Sequence, residues 1–543
     1  MYHKPRRRLL RRLKREIAKI KMEFAREEFN SQSAGLAATL AANLDAIRRE
    51  LNNSSDLIIR RFNLGGSYQD LGAIIYIDGL VDKNQVERSI LRPLMLMKAP
   101  SSGRPDGDDR LADIELGLIT VGEIKRECRL TQVIEAVLSG KTVLLIDGSQ
   151  KALVIATPGW EKRSVNQPDS EVIVKGPRDG FVETLRTNTA LLRRKLGDPR
   201  LALETLQVGT RTKTEICIAY LKDIADPKLI KEIKQRINRI NTDGIFSAGA
   251  LEEFLEDASL SFFATMGYTE RPDVVCSKLL EGRAAVFIDG TPVVLTAPFL
   301  FIENFQSPDD YTFKLFFGSM IRWVRYTAFL ISILLPAVYV ALVSFHQEMI
   351  PTQLLITTAA AIEGTPFPVV IEALVMGLVF EILREAGIRL PRPIGQTVSI
   401  IGALVIGEAT VSAGLVGAPL IIVVAFTAIT SFVTPTLVQE GTLIRFALTI
   451  LSGFLGAFGI TIGLLAILIH MASLRSFGVP YLSPITPMNL RDLSQDVLIR
   501  APWWAMFTRP KVIGGQNRAR QDFYSQPGPT RDGQGEAADE TLE

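Results

Sequence analysis

YTAFLISILLPAVYVALVSF, Tyr326 to Phe345, is the stretch that decides how this chain folds. It carries no charged side chain and is as long as the ~20 residues a helix needs to cross a bilayer core. Before it the sequence mixes charged and apolar residues as soluble domains do; from it to His470 the residues are nearly all apolar. The chain therefore reads as an integral membrane protein of α+β multi-domain class. An N-terminal soluble region of two similar αβ subdomains precedes an α-helical transmembrane domain.

The composition agrees once it is divided. A charged content of 22% beside a positive mean hydropathy describes two populations, not one globular average. In 543 residues, 61 Lys plus Arg face 58 Asp plus Glu, so partners cannot be read from the total; no nucleic acid is expected. The opening MYHKPRRRLLRRLKREIAKIK lacks the apolar core of a secretory signal, which leaves the N-terminal half in the cytosol. Its Leu9, Leu13, Ile17, Ile20 and Phe24 recur at helical spacing among arginines. That pattern suits a helix on anionic lipid or RNA, and equally a solvated arm. Cys128, Cys217 and Cys276 form no CxxC and have no histidine at ligand spacing, so they read as reduced core residues with no metal or cofactor.

The soluble region contains one structural idea twice. TQVIEAVLSGKTVLLIDG, ending at Gly148, aligns with DVVCSKLLEGRAAVFIDG, ending at Gly290, an offset of 142 residues. Each copy opens with an apolar run and an amphipathic helix and closes with two short strands about an Asp-Gly turn, the sequence signal for a hairpin. The Asp-Gly pairs are explained by turn sterics rather than metal binding. No Walker loop, GxSxG or HExxH occurs, and no catalytic residue is assigned.

Six segments follow: a basic extension 1–51, a first αβ subdomain 52–157, a linker with a helix 158–212, a second αβ subdomain 213–320, a helical membrane domain 321–472 and a tail 473–543. The linker turn around Gly176, Pro177 and Gly180 can receive a phosphate or headgroup at a helix start, though a solvated capped turn explains it as well. The stretch around Gly103 and the end of the tail have the composition of loops or disorder.

In the membrane half, Arg322 and Arg325 precede the first span, HQEMIP after it has no Lys or Arg, and Arg384, Arg389 and Arg392 close the next apolar segment. The positive-inside rule sends the chain out and back. A second hairpin from Thr397 to Val438 and a last span from Phe446 to Ile469 would leave the tail outside, yet the tail carries Arg475, Arg491, Arg500, Arg509 and Lys511. One rule must fail. The irregular segment expected is LLITTAAAIEGTPFPVVIEALVMG, where Gly364, Pro366 and Pro368 break a helix. Carboxylates at membrane depth are costly unless they face water or a partner, so Glu363, Glu372 and Glu408, with Pro366 and Pro368, are the pore or gating candidates. Interfacial placement would make Glu363 and Glu381 ordinary. Gly453, Gly456, Gly459 and Gly463 read as lining one helix for close packing or oligomerisation. With so few spans, a pore requires a homo-oligomer.

EGTPFPVVIEALVMGLVFEILREAGIRLPRPIGQTVSIIGALVIGEATVSAG, EVIVKGPRDGFVETLRTNTALLRRKL, SFGVPYLSP and APWWAMFTRP together resemble the A-subunit (GerA) family of bacterial spore germination receptors, over roughly Asn52 to Pro510. The resemblance implies a multi-pass protein of the spore inner membrane that works with a transporter-like B subunit and a lipoprotein C subunit. It further implies assembly into a nutrient-gated cation channel whose opening starts germination. A non-conducting scaffold and a secondary transporter are the competing expectations; the membrane half shows no inverted hydropathy halves of the transporter kind.

Overall fold

A computed structural model describes residues 35–66, 71–96, 107–159, 168, 171, 173–390, 407–513, 515 and 517–521. The basic arm before Gly35, the stretch around Gly103, the start of the expected second membrane hairpin at Thr397 and the acidic end of the tail lie outside the described residues. The chain divides into two compact units, 1–259 with 266–298 and 502–543, and 260–265 with 299–501.

The first unit is built from two copies of one αβ design. Copy one contains α1 (Leu40–Glu50), β1 (Leu57–Asn63), β2 (Leu71–Ile77), α2 (83–96), α3 (Gly107–Gly117), β3 (Ile124–Glu127), α4 (Leu130–Leu138), β4 (Thr142–Ile146) and β5 (Ala152–Ile155). Copy two contains α5 (Leu185–Lys195), β6 (Leu201–Val208), β7 (Thr214–Leu221), α6 (Pro227–Arg239), α7 (Ala248–Leu255), β8 (Gly267–Thr269), α8 (Pro272–Leu280), β9 (Ala284–Ile288) and β10 (Val294–Ala297). The strand orders, β1-β2-β4-β5-β3 and β6-β7-β9-β10-β8, are equivalent, and every pairing is antiparallel.

The central strands explain the apolar runs of the sequence. TVLLI of β4 and AAVFI of β9 are buried at every residue, because helices cover both faces of each sheet. Val143 and Leu145 face the core beneath α1 and α4, and Leu144 and Ile146 face the one beneath α2 and α3.

The copies begin earlier than the sequence boundaries drawn at 52 and 213. Helix α1, assigned to the basic extension, buries Leu40, Leu44 and Ile47 in the first core. Helix α5, assigned to the linker, buries Leu185, Leu191 and Leu192 in the second, and β6 is an edge strand of that sheet. The two helices are held alike. Leu40 N–H donates to Asp147 Oδ1 (2.8 Å) and Leu185 N–H to Asp289 Oδ1 (3.0 Å). Asn43 closes a loop onto Ala37, and Asn188 closes one onto Val182. The Asp-Gly turns, with Gly148 and Gly290 at φ near +90°, therefore cap the opening helix of their own copy. A buried ion pair joins the copies: Arg193 reaches Asp56 at 3.0 Å, with both side chains at most 2% exposed, and Ser54 accepts from the same guanidinium.

The second unit is helical: α9 (Leu315–Ser344), α10 (Thr352–Ile362), α11 (Val369–Arg389), α12 (Gly407–Ser412), α13 (Ala418–Ser431), α14 (Val438–Leu455) and α15 (Ala457–Ser473). Among the described residues α9 alone is long and apolar enough to cross a membrane by itself; α13 and α14 form a pair bent by 113°. The expected last span, Phe446 to Ile469, is broken. At Gly456 (φ 62°, ψ −141°) the chain folds back, and α15 packs on α14. A Cβ on Gly459 would lie 2.2 Å from Leu451 O, and one on Gly463 would lie 2.5 Å from Leu448. At Gly459, where the atom met is backbone, only glycine permits that approach.

Candidate functional site

The broken segment is where the membrane candidates gather. Glu363 caps the C-terminal end of α10 and is exposed, as are Pro366 and Pro368 in the turn that follows. Pro368 precedes α11, a position a proline fills without losing a needed donor. Glu372 lies in the first turn of α11 and is 2% exposed.

Around Glu372 two breaks in the helical chain meet. Gly417, which precedes α13, donates its N–H to Glu372 Oε2 at 3.4 Å, and a Cβ on Gly417 would stand 3.4 Å from Ala361 O. Gly414, at φ 64°, lies against Gly364 O. The carboxylate thus faces the start of one helix from within the first turn of another, where unpaired N–H groups favour negative charge. Val369, Ala373 and Met376 of the same helix belong to an apolar cluster with Val340, Val416 and Leu420, and Tyr339 packs against that cluster. Oε1 is buried with no hydrogen-bond partner.

Glu408 stands elsewhere, exposed in the first turn of α12. Glu363 and Glu408 are the outward carboxylates, and Glu372 is an inward one. The four glycines do not line one helix. Gly453 ends its role on α14 against Val370 of α11, Gly456 makes the fold-back, and Gly459 and Gly463 seat α15 on α14. All four are occupied by contacts within this chain.

A second polar cluster escaped the sequence reading. Arg445, 5% exposed, pairs with Glu381 at 2.5 Å, Arg384 pairs with the other oxygen of Glu381 at 2.6 Å, and Thr442 donates to Glu381. Glu381, for which an interface would have sufficed, is held inside. Beside Arg445 lies a small cavity of about 20 Å³, lined by Ala373, Gly377, Thr427 and Thr449 among others, enough for a water molecule. The signal was present in Arg445, a lone cation within an apolar run, but its partner is 64 residues away.

At the start of α9, Asp310 and Arg322 are fully buried and paired at 3.2 Å, and Arg325 reaches Asp310 at 2.7 Å. Asp496 of the tail bonds Arg322 and Tyr311, and Arg500 donates to Tyr311 O. Outside the membrane segments, burial pushes the Cys217 and Cys276 thiols up to about 12. Cys128, expected in a core, is exposed.

Comparison with known proteins supplies the identity. The family model described as Bacillus/Clostridium GerA spore germination protein matches residues 45–512. The chain belongs to that family. Spore germination protein KA of Bacillus subtilis is 42% identical over 496 residues, covering 91% of this chain and 90% of its own. YfkQ of the same organism, named an uncharacterized membrane protein, is 39% identical over 506 residues, covering 92% and 97%. The crystal structure of the N-terminal domain of the A subunit of the Bacillus megaterium germinant receptor GerK3 is 33% identical, covers 49% of this chain and 98% of that one, and has a TM-score of 0.39. This member of the GerA family is thus a germinant receptor A-subunit homologue involved in spore germination.

Proposed function

We propose that this GerA-family chain is the A subunit of a germinant receptor that oligomerises in the spore inner membrane into a nutrient-gated cation channel. A transporter-like B subunit and a lipoprotein C subunit are its partners, and no catalytic chemistry is required of it. The observation that supports this reading most is the meeting of two helix breaks at Glu372, which leaves Glu363 and Glu408 exposed on the helical unit. Exposed carboxylates at helix breaks are tolerated where they line water, and neighbouring copies around an axis supply such a path.

Glu372 takes a different part from the one its sequence position implied. Enclosed by its own chain, it positions the two breaks, and Glu363 and Glu408 are the residues that meet ions. Germinant binding in a partner acts by favouring one arrangement of the oligomer in free energy. The test is cation flux from liposomes holding the purified complex. The double variant E363Q/E408Q is expected to lose most of the flux while keeping the oligomer's size. A scaffold would show no germinant-dependent flux in either protein, and that result overturns the proposal.

A further inference from the structure

The internal repeat exposes a substitution of one chain segment for another. In copy one the turn after β2, Asp78–Asp82, is closed by the chain that leaves β5: Asp82 N–H donates to Thr157 O (3.0 Å), Val81 bridges Pro158, and Gly159 N–H donates to Leu80 O (3.1 Å). Copy two has the same turn. Asp226 caps α6 as Asp82 caps α2, each accepting a backbone N–H two residues on at 2.9 Å, which makes Ile224 the counterpart of Leu80. The counterpart of Gly159 is Phe301, but by that point the chain has left for the helical unit, where Phe301 N–H donates to Tyr481 O.

The tail fills the position. Gly515 N–H donates to Ile224 O at 2.9 Å, as Gly159 does to Leu80 O. A glycine is demanded in both places: a Cβ on Gly159 would lie 2.3 Å from Asp82 N, and one on Gly515 would lie 2.7 Å from Ile224 O. Around it, Asn517 donates to Asp223 Oδ2 (3.4 Å), and Arg509 donates to Leu280 O (2.6 Å) and to Asn517 Oδ1 (3.1 Å). Thr508 and Ala519 bridge to close the loop.

We propose that the Ile224 turn is a docking site for an extended, glycine-bearing segment, and that residues 505–521 are a detachable strap which occupies it. Copy one carries its closing segment in continuous chain, so that closure is permanent. Copy two receives its own from more than 200 residues away, so its closure is made by non-covalent contacts alone: the bonds above and the burial of Met506 and Ile513, 3% and 5% exposed. A closure made by a separate segment can open locally while the sheet beneath it stays folded.

The test is hydrogen exchange on the full chain, comparing wild type with G515V. The backbone of Gly515 needs no positive φ, so the substitution adds only the clash with Ile224. Amides of 505–521 should exchange at least tenfold faster while those of β7, β9 and β10 are unchanged. A synthetic peptide of residues 505–521 should then bind the variant and not the wild type. Unaltered exchange in the tail overturns the docking site. Faster exchange throughout the second sheet overturns detachment, and failure of the peptide to bind the variant overturns the slot.

Discussion

At the scale of single residues, burial separates groups that the sequence could only count together. Asp56 and Arg193 are joined over 137 positions with no solvent between them, so neither was visible as half of a pair. Removing one partner strands the other charge, and D56A or R193A should cost about 3–5 kcal/mol, read as a lowered unfolding midpoint in denaturant. The cysteines show the same division. A thiolate forms in solution near the ordinary thiol value of 9, whereas burial holds Cys217 and Cys276 protonated up to about 12. At pH 8 a thiol reagent should label native protein once, at Cys128, and three times after unfolding. The carboxylates were legible as residue types, and Glu372, Glu363 and Glu408 were found from apolar context alone. Which of them faces inward was not, because Gly417 is 45 residues from Glu372 in the chain.

At the scale of elements, repeat and period were read well and chain breaks were not. The 142-residue offset and the Asp-Gly hairpins gave both sheets their central strands, since β4 and β9 are apolar but for Thr142 and buried throughout. Helices α1 and α5 were assigned elsewhere because each precedes the first apolar run of its copy and carries polar residues such as Asn43 and Asn188, whose bonds close onto the backbone. Gly456 was read as one more small residue, when its dihedrals place a fold-back there. Glycines that stand against backbone are predicted to tolerate nothing larger: G459V should lower stability by roughly 1–3 kcal/mol through overpacking, seen as earlier thermal unfolding in detergent. Gly249, inside α7, has nothing within 4 Å of a Cβ. There G249A should raise stability by about 0.4–1 kcal/mol by restricting the unfolded chain.

At the scale of the molecule, the fold-back removes the conflict between hydropathy and charge. One continuous span from Phe446 to Ile469 would carry Arg475 and Arg491 away from Arg322 and Arg325. With the chain reversed at Gly456, the turn rests on Phe345 and His346 at the far end of α9, where Ala457 N–H donates to His346 Nε2. The chain then returns to the near end. There Ser476 accepts from Phe299 N–H, Tyr481 O accepts from Phe301 N–H, and Arg500 reaches Tyr311. Arg475, Arg491 and Arg500 therefore share one end of the helical unit with Arg322 and Arg325, the arrangement the charge rule asks of residues on one side of a membrane. Two exposed methionines test this, Met349 at the far end and Met488 at the near end. With Cys128 replaced by serine, M349C in intact cells should react with a membrane-impermeant maleimide, and M488C should react only after the membrane is opened. If both positions label from outside, Gly456 does not turn the chain within the bilayer, and the last apolar stretch crosses it after all.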